Sequence, residues 1–152
     1  MARRFQEITE VYRQALSELA RGDRWTAFLR SACRNYKLHF EEQVLVHAQR
    51  PDATAVLEME HWNRRFDRWV DPGSTGIAVF DRDTPGRARL KYYFDISDTH
   101  EGRFHRPVPL WQVYAEQEPE IVEALEHRFG ALAHEGDAGG RHRIRYGKCR
   151  HG

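Results

Sequence analysis

His100 to His105 read HEGRFH, two histidines with a glutamate between them. A catalytic zinc site of the HExxH kind needs its histidines one helical turn apart, so that both imidazoles reach one metal. Here the interval is one residue too long, and Gly102 disfavours the helix that would carry them. His134 opens a second near-match, HEGDA, without a second histidine. Neither run predicts a metal, and no cofactor is expected. Asp81 with Asp83, and Asp95 with Asp98, are carboxylate pairs of the kind that hold magnesium in nucleases. Both pairs fall where the chain is expected to turn, and aspartate is common there because its side chain bonds the backbone nearby. Turn chemistry is therefore the simpler account, and a metal-dependent nuclease is the least favoured reading. The run GSTG lacks the lysine of a phosphate-binding loop. No serine or cysteine is framed as a nucleophile. The residues point to a protein that is not an enzyme.

What remains is surface chemistry. The 24 basic residues nearly balance 23 acidic ones, so net charge gives no argument for nucleic acid. The kind of cation is more telling: only Lys37, Lys91 and Lys148 are lysines, and arginine contacts phosphate bidentately and stacks on bases. A GC-rich genome would give the same bias. Cations cluster in three places. Arg87, Arg89 and Lys91 alternate with Tyr93 in RARLKYYFDI; Arg30, Arg34 and Lys37 share one helical stretch; Arg64, Arg65 and Arg68 lie between Trp62 and Trp69. A cationic row with an aromatic ring on a sheet suits single-stranded nucleic acid, because cations follow phosphates while rings stack on bases. The bland alternative is an ordinary solvated face, with the tryptophans in the core.

These residues need elements to hold them. Ile8, Val11, Tyr12, Ala15, Leu16 and Leu19 recur at intervals of three and four, one face of an amphipathic helix closed by Gly22. Asp23 is placed to cap a second helix bearing Trp25, Phe28, Leu29, Ala32, Cys33 and Tyr36. A third starts near Phe40, with Glu41 and Glu42 in its first turn. Pro51 should stop it at Arg50. A short fourth helix carries Met59, Trp62 and Phe66. After Trp69 the period changes to that of strands. GIAVF is one strand, DRDTPG a hairpin connection, and Arg87 to Ile96 a second, antiparallel strand. Ala88, Leu90, Tyr92, Phe94 and Ile96 are expected to face the core, and Arg87, Arg89, Lys91, Tyr93 and Asp95 the solvent. A last helix runs from Glu118 to Ala133, with Ile121, Val122, Leu125, Phe129 and Leu132 inward. The fold class is α+β: N-terminal helices packed on a small antiparallel sheet, with a further C-terminal helix. Residues 1–135 read as one domain. Residues 136–152 read as a loose basic tail, suited to phosphate but more simply the ragged end of a truncated frame. No apolar run approaches the roughly 18 residues of a membrane span, and no signal peptide is visible. Two cysteines make no disulfide framework, so a reducing cytoplasm is expected.

The stretch WTAFLRSACRNYKLHFEEQVLVHAQRPDATAVLEMEHWNRRFDRWVDPGSTGIAVFDR, followed by RLKYYFDISDTH and PLWQVYAEQEPEIVEALEHRFG, resembles the N-terminal domain of ArdC-type antirestriction proteins. It is more similar still to the copy heading large helicase- and methyltransferase-like proteins of conjugative elements. The resemblance covers about Trp25 to Ala131. It implies a single-stranded-DNA-binding module of a mobile genetic element, concerned with protecting incoming DNA from restriction. The metalloprotease-like domain of ArdC proper has no room here, and the expectation is the module standing alone. One departure matters. Relatives carry lysines in a K-G-x-K-G-I turn before the GIAVF-like strand; this chain has Asp71, Pro72, Gly73, Ser74, Thr75 and Gly76. If that turn holds phosphate in relatives, this copy binds DNA more weakly or by another surface.

That departure opens a second reading: an inhibitor of a host restriction or CRISPR nuclease, in which Glu58, Glu60, Asp67, Asp71, Asp81 and Asp83 imitate phosphates toward a basic channel. The AQRPDATAV corner is expected to be mainly structural. Gln43 and Gln49 are placed to satisfy backbone groups where the third helix stops. Arg50 is placed to pair with Asp52, or to be left for phosphate.

Overall fold

The computed structural model describes residues 2–110 and 116–135; the basic end, Cys149 with it, lies outside the described residues. The first helix, α1 (Ala2–Leu19), buries Ile8 and Leu19 from the stripe of threes and fours and half-buries the rest. α2 (Asp23–Arg34) begins at Asp23 itself, so this residue lies in the first turn and Gly22 takes the cap position. α3 (Phe40–Gln49) opens with the Glu42 carboxylate accepting from the His39 amide at 3.0 Å. It stops at Gln49, as Pro51 requires. Then follow β1 (Val56–Glu58), α4 (Met59–Phe66), β2 (Arg68–Val70), β3 (Ile77–Asp81) and β4 (Arg89–Asp95). A 3-10 turn (Ile96–Asp98), β5 (Thr99–Glu101) and α5 (Glu118–Glu135) complete the order. Among the described residues no helix is long and apolar enough to cross a membrane.

The strands form a three-stranded antiparallel sheet, ordered β1-β4-β3, and a two-stranded antiparallel ribbon of β2 and β5. The fold is thus α+β, with helices before the sheet and one after it. β1, β2 and β5 have three residues each, too few to show a period of two, and sequence patterning missed them. Two apolar clusters meet at α3. Ile8, Leu45, Val46, Val79 and Phe80 build one, where Phe80 packs on Phe5 and Tyr12 with ring centroids 5.2 and 5.8 Å away. Phe28, Leu29, Ala32, Val44 and Phe129 build the other. Each fully buried large side chain contributes about 1.5–3 kcal/mol relative to exposure. α5 seats Phe129 on α2.

The phase of β4 holds at its start, where Arg89 is exposed and Leu90 packs against the core, and reverses toward its end. Tyr93 and Asp95 are buried, at 7% and 2% exposure, and Lys91 is half-buried; Tyr92, expected inside, is 42% exposed. The polar side is tolerated inside because each polar group finds a partner. Tyr93 Oη donates to Glu42 Oε1 at 2.7 Å, and Lys91 Nζ lies 3.4 Å from the same oxygen and 3.0 Å from Asp83. The fourth helix shows a smaller departure: Met59 is exposed, and Trp62 carries its apolar face.

The AQRPDATAV corner is structural. Gln43 Nε2 donates to the Asn35 carbonyl, closing the end of α2. Gln49 does more than finish its own helix. Its Nε2 donates to Ala78 O at 2.8 Å and its Oε1 accepts from Ala78 N at 3.0 Å, so one side chain replaces a neighbouring strand on the outer edge of β3.

The turn after α4 is equally specified. Asp67 adopts left-handed backbone angles, φ 48° and ψ 48°. Its carboxylate accepts from Phe104 N at 2.7 Å and Trp69 Nε1 at 3.3 Å, and its carbonyl from Gly102 N at 2.7 Å. A Cβ on Gly102 would lie 2.4 Å from the Asp67 carboxylate. Gly102→Ala is expected to cost about 1–3 kcal/mol through this overlap. In a urea-denaturation cycle Asp67→Ala should relieve part of the loss, so that the double variant is more stable than the two single losses predict. Simple additivity would contradict the clash.

Candidate nucleic-acid interface

Five of the eleven residues expected to contact nucleic acid are held in the frame of the protein. Arg34 donates to Ala53 O at 3.1 Å and Pro51 O at 2.8 Å, tying α2 to the corner after α3. Arg50 pairs with Asp98 and, at 3.6 Å, with Asp52, and donates to Ser97 Oγ at 2.9 Å. The hydrogen bond to Asp98 holds the Arg50 proton more firmly than usual. Arg50 therefore buttresses the 3-10 turn and is not left for phosphate. Arg68 bonds Thr99 Oγ1 at 2.8 Å and Glu101 at 3.1 Å across the ribbon. Lys91 and Tyr93 belong to the Glu42 network. Burial alone would lower the Lys91 pKa; the Asp83 hydrogen bond, with Tyr93 and Glu42 beside it, outweighs burial and raises it. Burial and the Glu42 hydrogen bond both raise the Tyr93 pKa, so its phenol stays protonated as a donor. The expected platform of Arg87, Arg89, Lys91 and Tyr93 thus loses its last two members.

The rest lie at the surface. Arg30 is exposed on α2, and Arg64 pairs with Glu60 one turn earlier at 3.0 Å. Arg87 and Arg89 are exposed beside the β3–β4 turn, without an acidic partner among the described residues. Lys37 and Arg65 are exposed in the same way, and they share a groove of about 300 Å³. Tyr36 stands beside Lys37, whose Nζ lies 5.7 Å from its ring centroid. Trp62, fully buried, anchors the groove through Nε1, which donates to Phe94 O at 2.8 Å. Val108, Pro109 and Leu110 line another side. The fold thus places Arg65, from a separate sequence cluster, on the groove that Tyr36 and Lys37 line.

No family model matches the chain, and it has no significant match among curated proteins or solved structures.

Sequence reasoning missed Tyr36 as a surface ring, placing it on the apolar face of the second helix. The available signal was Asn35, a residue that favours helix ends; α2 stops there, and Tyr36 leaves the helical face at 43% exposure. It also missed Arg82, which holds Glu41 through three hydrogen bonds of 2.9, 3.1 and 3.1 Å. The carboxylate pairs are turn chemistry. Asp81 accepts from Asp83 N at 3.0 Å and Thr84 Oγ1 at 3.1 Å. Asp95 accepts four hydrogen bonds, from Thr54 N, Ala55 N, Ser97 N and Ser97 Oγ, and Asp98 faces Arg50. His100 and His105 have separate partners: Asp71 at 2.6 Å for the first, Glu101 at 3.4 Å for the second.

Proposed function

We propose that this chain is a non-enzymatic module that binds single-stranded DNA, of the ArdC antirestriction type carried by mobile genetic elements, and that it works in the cytoplasm. The observation that carries the proposal is the groove that Lys37 and Arg65, both without acidic partners among the described residues, line together with the exposed Tyr36. Cations for phosphate beside a ring for a base are what an unpaired strand requires. Arg87 and Arg89, exposed beside the hairpin turn, add charge that follows a backbone without reading sequence.

The competing reading, inhibition of a host restriction or CRISPR nuclease by phosphate mimicry, needs a run of free acids. Most of its acids are engaged: Asp83 with Lys91, Asp71 with His100, Glu60 with Arg64, and Asp67 and Asp81 with the backbone. That favours DNA as the ligand. Anisotropy of a labelled, unstructured oligonucleotide at low salt tests the proposal. The chain should bind it, and bind a duplex of the same length more weakly. Absence of binding, together with capture of a nuclease from host lysate that survives DNA digestion, would replace it with the inhibitor reading.

A further inference from the structure

The β2–β5 ribbon ends in a corner that displays two large rings. Trp69 is 49% exposed and Phe104 76% exposed. Neither is a loose end. The Asp67 carboxylate holds the Trp69 indole through one oxygen and the Phe104 amide through the other. Trp69 stands directly opposite His100 in the ribbon. His100 is fixed to Asp71, and His105 bonds Gly102 O at 3.1 Å. The Arg103 guanidinium lies 5.5 Å from the Phe104 ring centroid. Arg103 and Arg106 are both exposed without an acidic partner among the described residues. The acids nearby are engaged: Glu101 with Arg68, Asp71 with His100, Asp67 with the two groups it holds.

A protein that leaves apolar rings in water forgoes their burial. Fixing the Trp69 indole and the Phe104 backbone to one carboxylate, with both rings in the open next to exposed arginines, prepares a surface for planar, anionic partners. We infer that Trp69 and Phe104 are a second base-stacking station for an unpaired strand, with Arg103 and Arg106 on its phosphates. The inference rests on the single-strand reading and extends it. The two places are joined by the chain: Arg106 N donates to Phe66 O at 3.1 Å, and two residues later Val108 lines the groove that holds Tyr36. Val108 is four positions on from Phe104, at most about 14 Å of extended chain. One strand therefore passes from Trp69 and Phe104 to Tyr36, with Arg103, Arg106, Arg65 and Lys37 along it.

The test uses labelled oligothymidine with the full chain, wild type and variants, in anisotropy titrations over a range of salt. Both rings are exposed, so their alanine variants fold. Trp69→Ala and Phe104→Ala should each weaken binding by about five- to 150-fold, the range for losing one stacked base. Trp69→Phe should retain most of the affinity. The slope of affinity against salt should stay unchanged in these variants and become shallower in Arg103→Ala. Wild-type affinity in both alanine variants would overturn the inference and leave the groove standing alone as the site. No binding by the wild type would remove both. Loss of a captured protein partner in Trp69→Ala, with oligonucleotide binding intact, would assign the corner to protein docking and overturn it as well.

Discussion

Asp95→Ala is expected to cost about 3–5 kcal/mol, a large share of the roughly 5–15 kcal/mol that holds a domain of this kind. The carboxylate is 2% exposed. One oxygen accepts from Thr54 N at 2.8 Å and Ala55 N at 3.0 Å; the other accepts from Ser97 N at 3.1 Å and Ser97 Oγ at 2.6 Å. Asp95 thereby joins the entry to β1, the end of β4 and the 3-10 turn. Alanine leaves three backbone amides without their acceptor, and buried donors left unpaired are the costly part. Burial alone would raise the Asp95 pKa; the hydrogen bonds from Ser97, Ala55 and Thr54 outweigh it and bring it below the ordinary aspartate value. A lowered folded-state pKa means a stabilising contribution that is complete above about pH 4 and is lost as pH falls through the folded value. Urea denaturation from pH 7 to pH 3 should show this loss in the wild type and a flatter profile in Asp95→Asn. A loss below about 1 kcal/mol for Asp95→Ala would contradict the role.

Glu42→Ala is expected to be nearly as severe, at about 2–4 kcal/mol. One carboxylate caps the start of α3 through His39 N, accepts from Tyr93 Oη and sits beside Lys91. Its loss strands a buried phenol and removes one of the two carboxylates, Glu42 and Asp83, that Lys91 meets among the described residues. The Lys91 pKa is raised in the folded state, so its contribution is complete below the ordinary lysine value, about pH 10.4, and is lost only as pH rises through the folded one. Glu42→Ala and Lys91→Met should therefore lower the urea midpoint at neutral pH while leaving oligonucleotide affinity of the folded protein unchanged. A Lys91→Met variant that keeps its midpoint and loses its affinity would restore Lys91 to the binding surface.

These two networks mark where the sequence was legible and where it was not. The long helices were, because α1 and α2 each bury one stripe and stripes of threes and fours have a single reading. Pro51 and the strand character of GIAVF were legible for equally local reasons. β4 was not. Its two faces are alternately apolar and polar, and nothing local says that Glu42, 51 residues away from Tyr93, supplies the partner that lets the polar face turn inward. The same gap hides the site. Lys37 and Arg65 belong to different clusters along the chain; Lys37 follows Tyr36 directly, but only the fold puts Arg65 of α4 on the same groove. Arg34, Arg50 and Arg68 looked equivalent to them as isolated cations; each turned out to hold a segment distant in sequence through backbone or carboxylate oxygens.

The salt dependence of oligonucleotide binding, wild type against the Lys37→Ala/Arg65→Ala double variant, tests the central claim most directly. Each phosphate contact to a single strand contributes a slope of about 0.7 in log affinity against log salt. The wild type should bind at low salt, and the double variant should bind more weakly with a slope shallower by about 1.4. Equal affinity and equal slope in the two proteins would show that the strand does not pass through the groove, and the account built on it would be wrong.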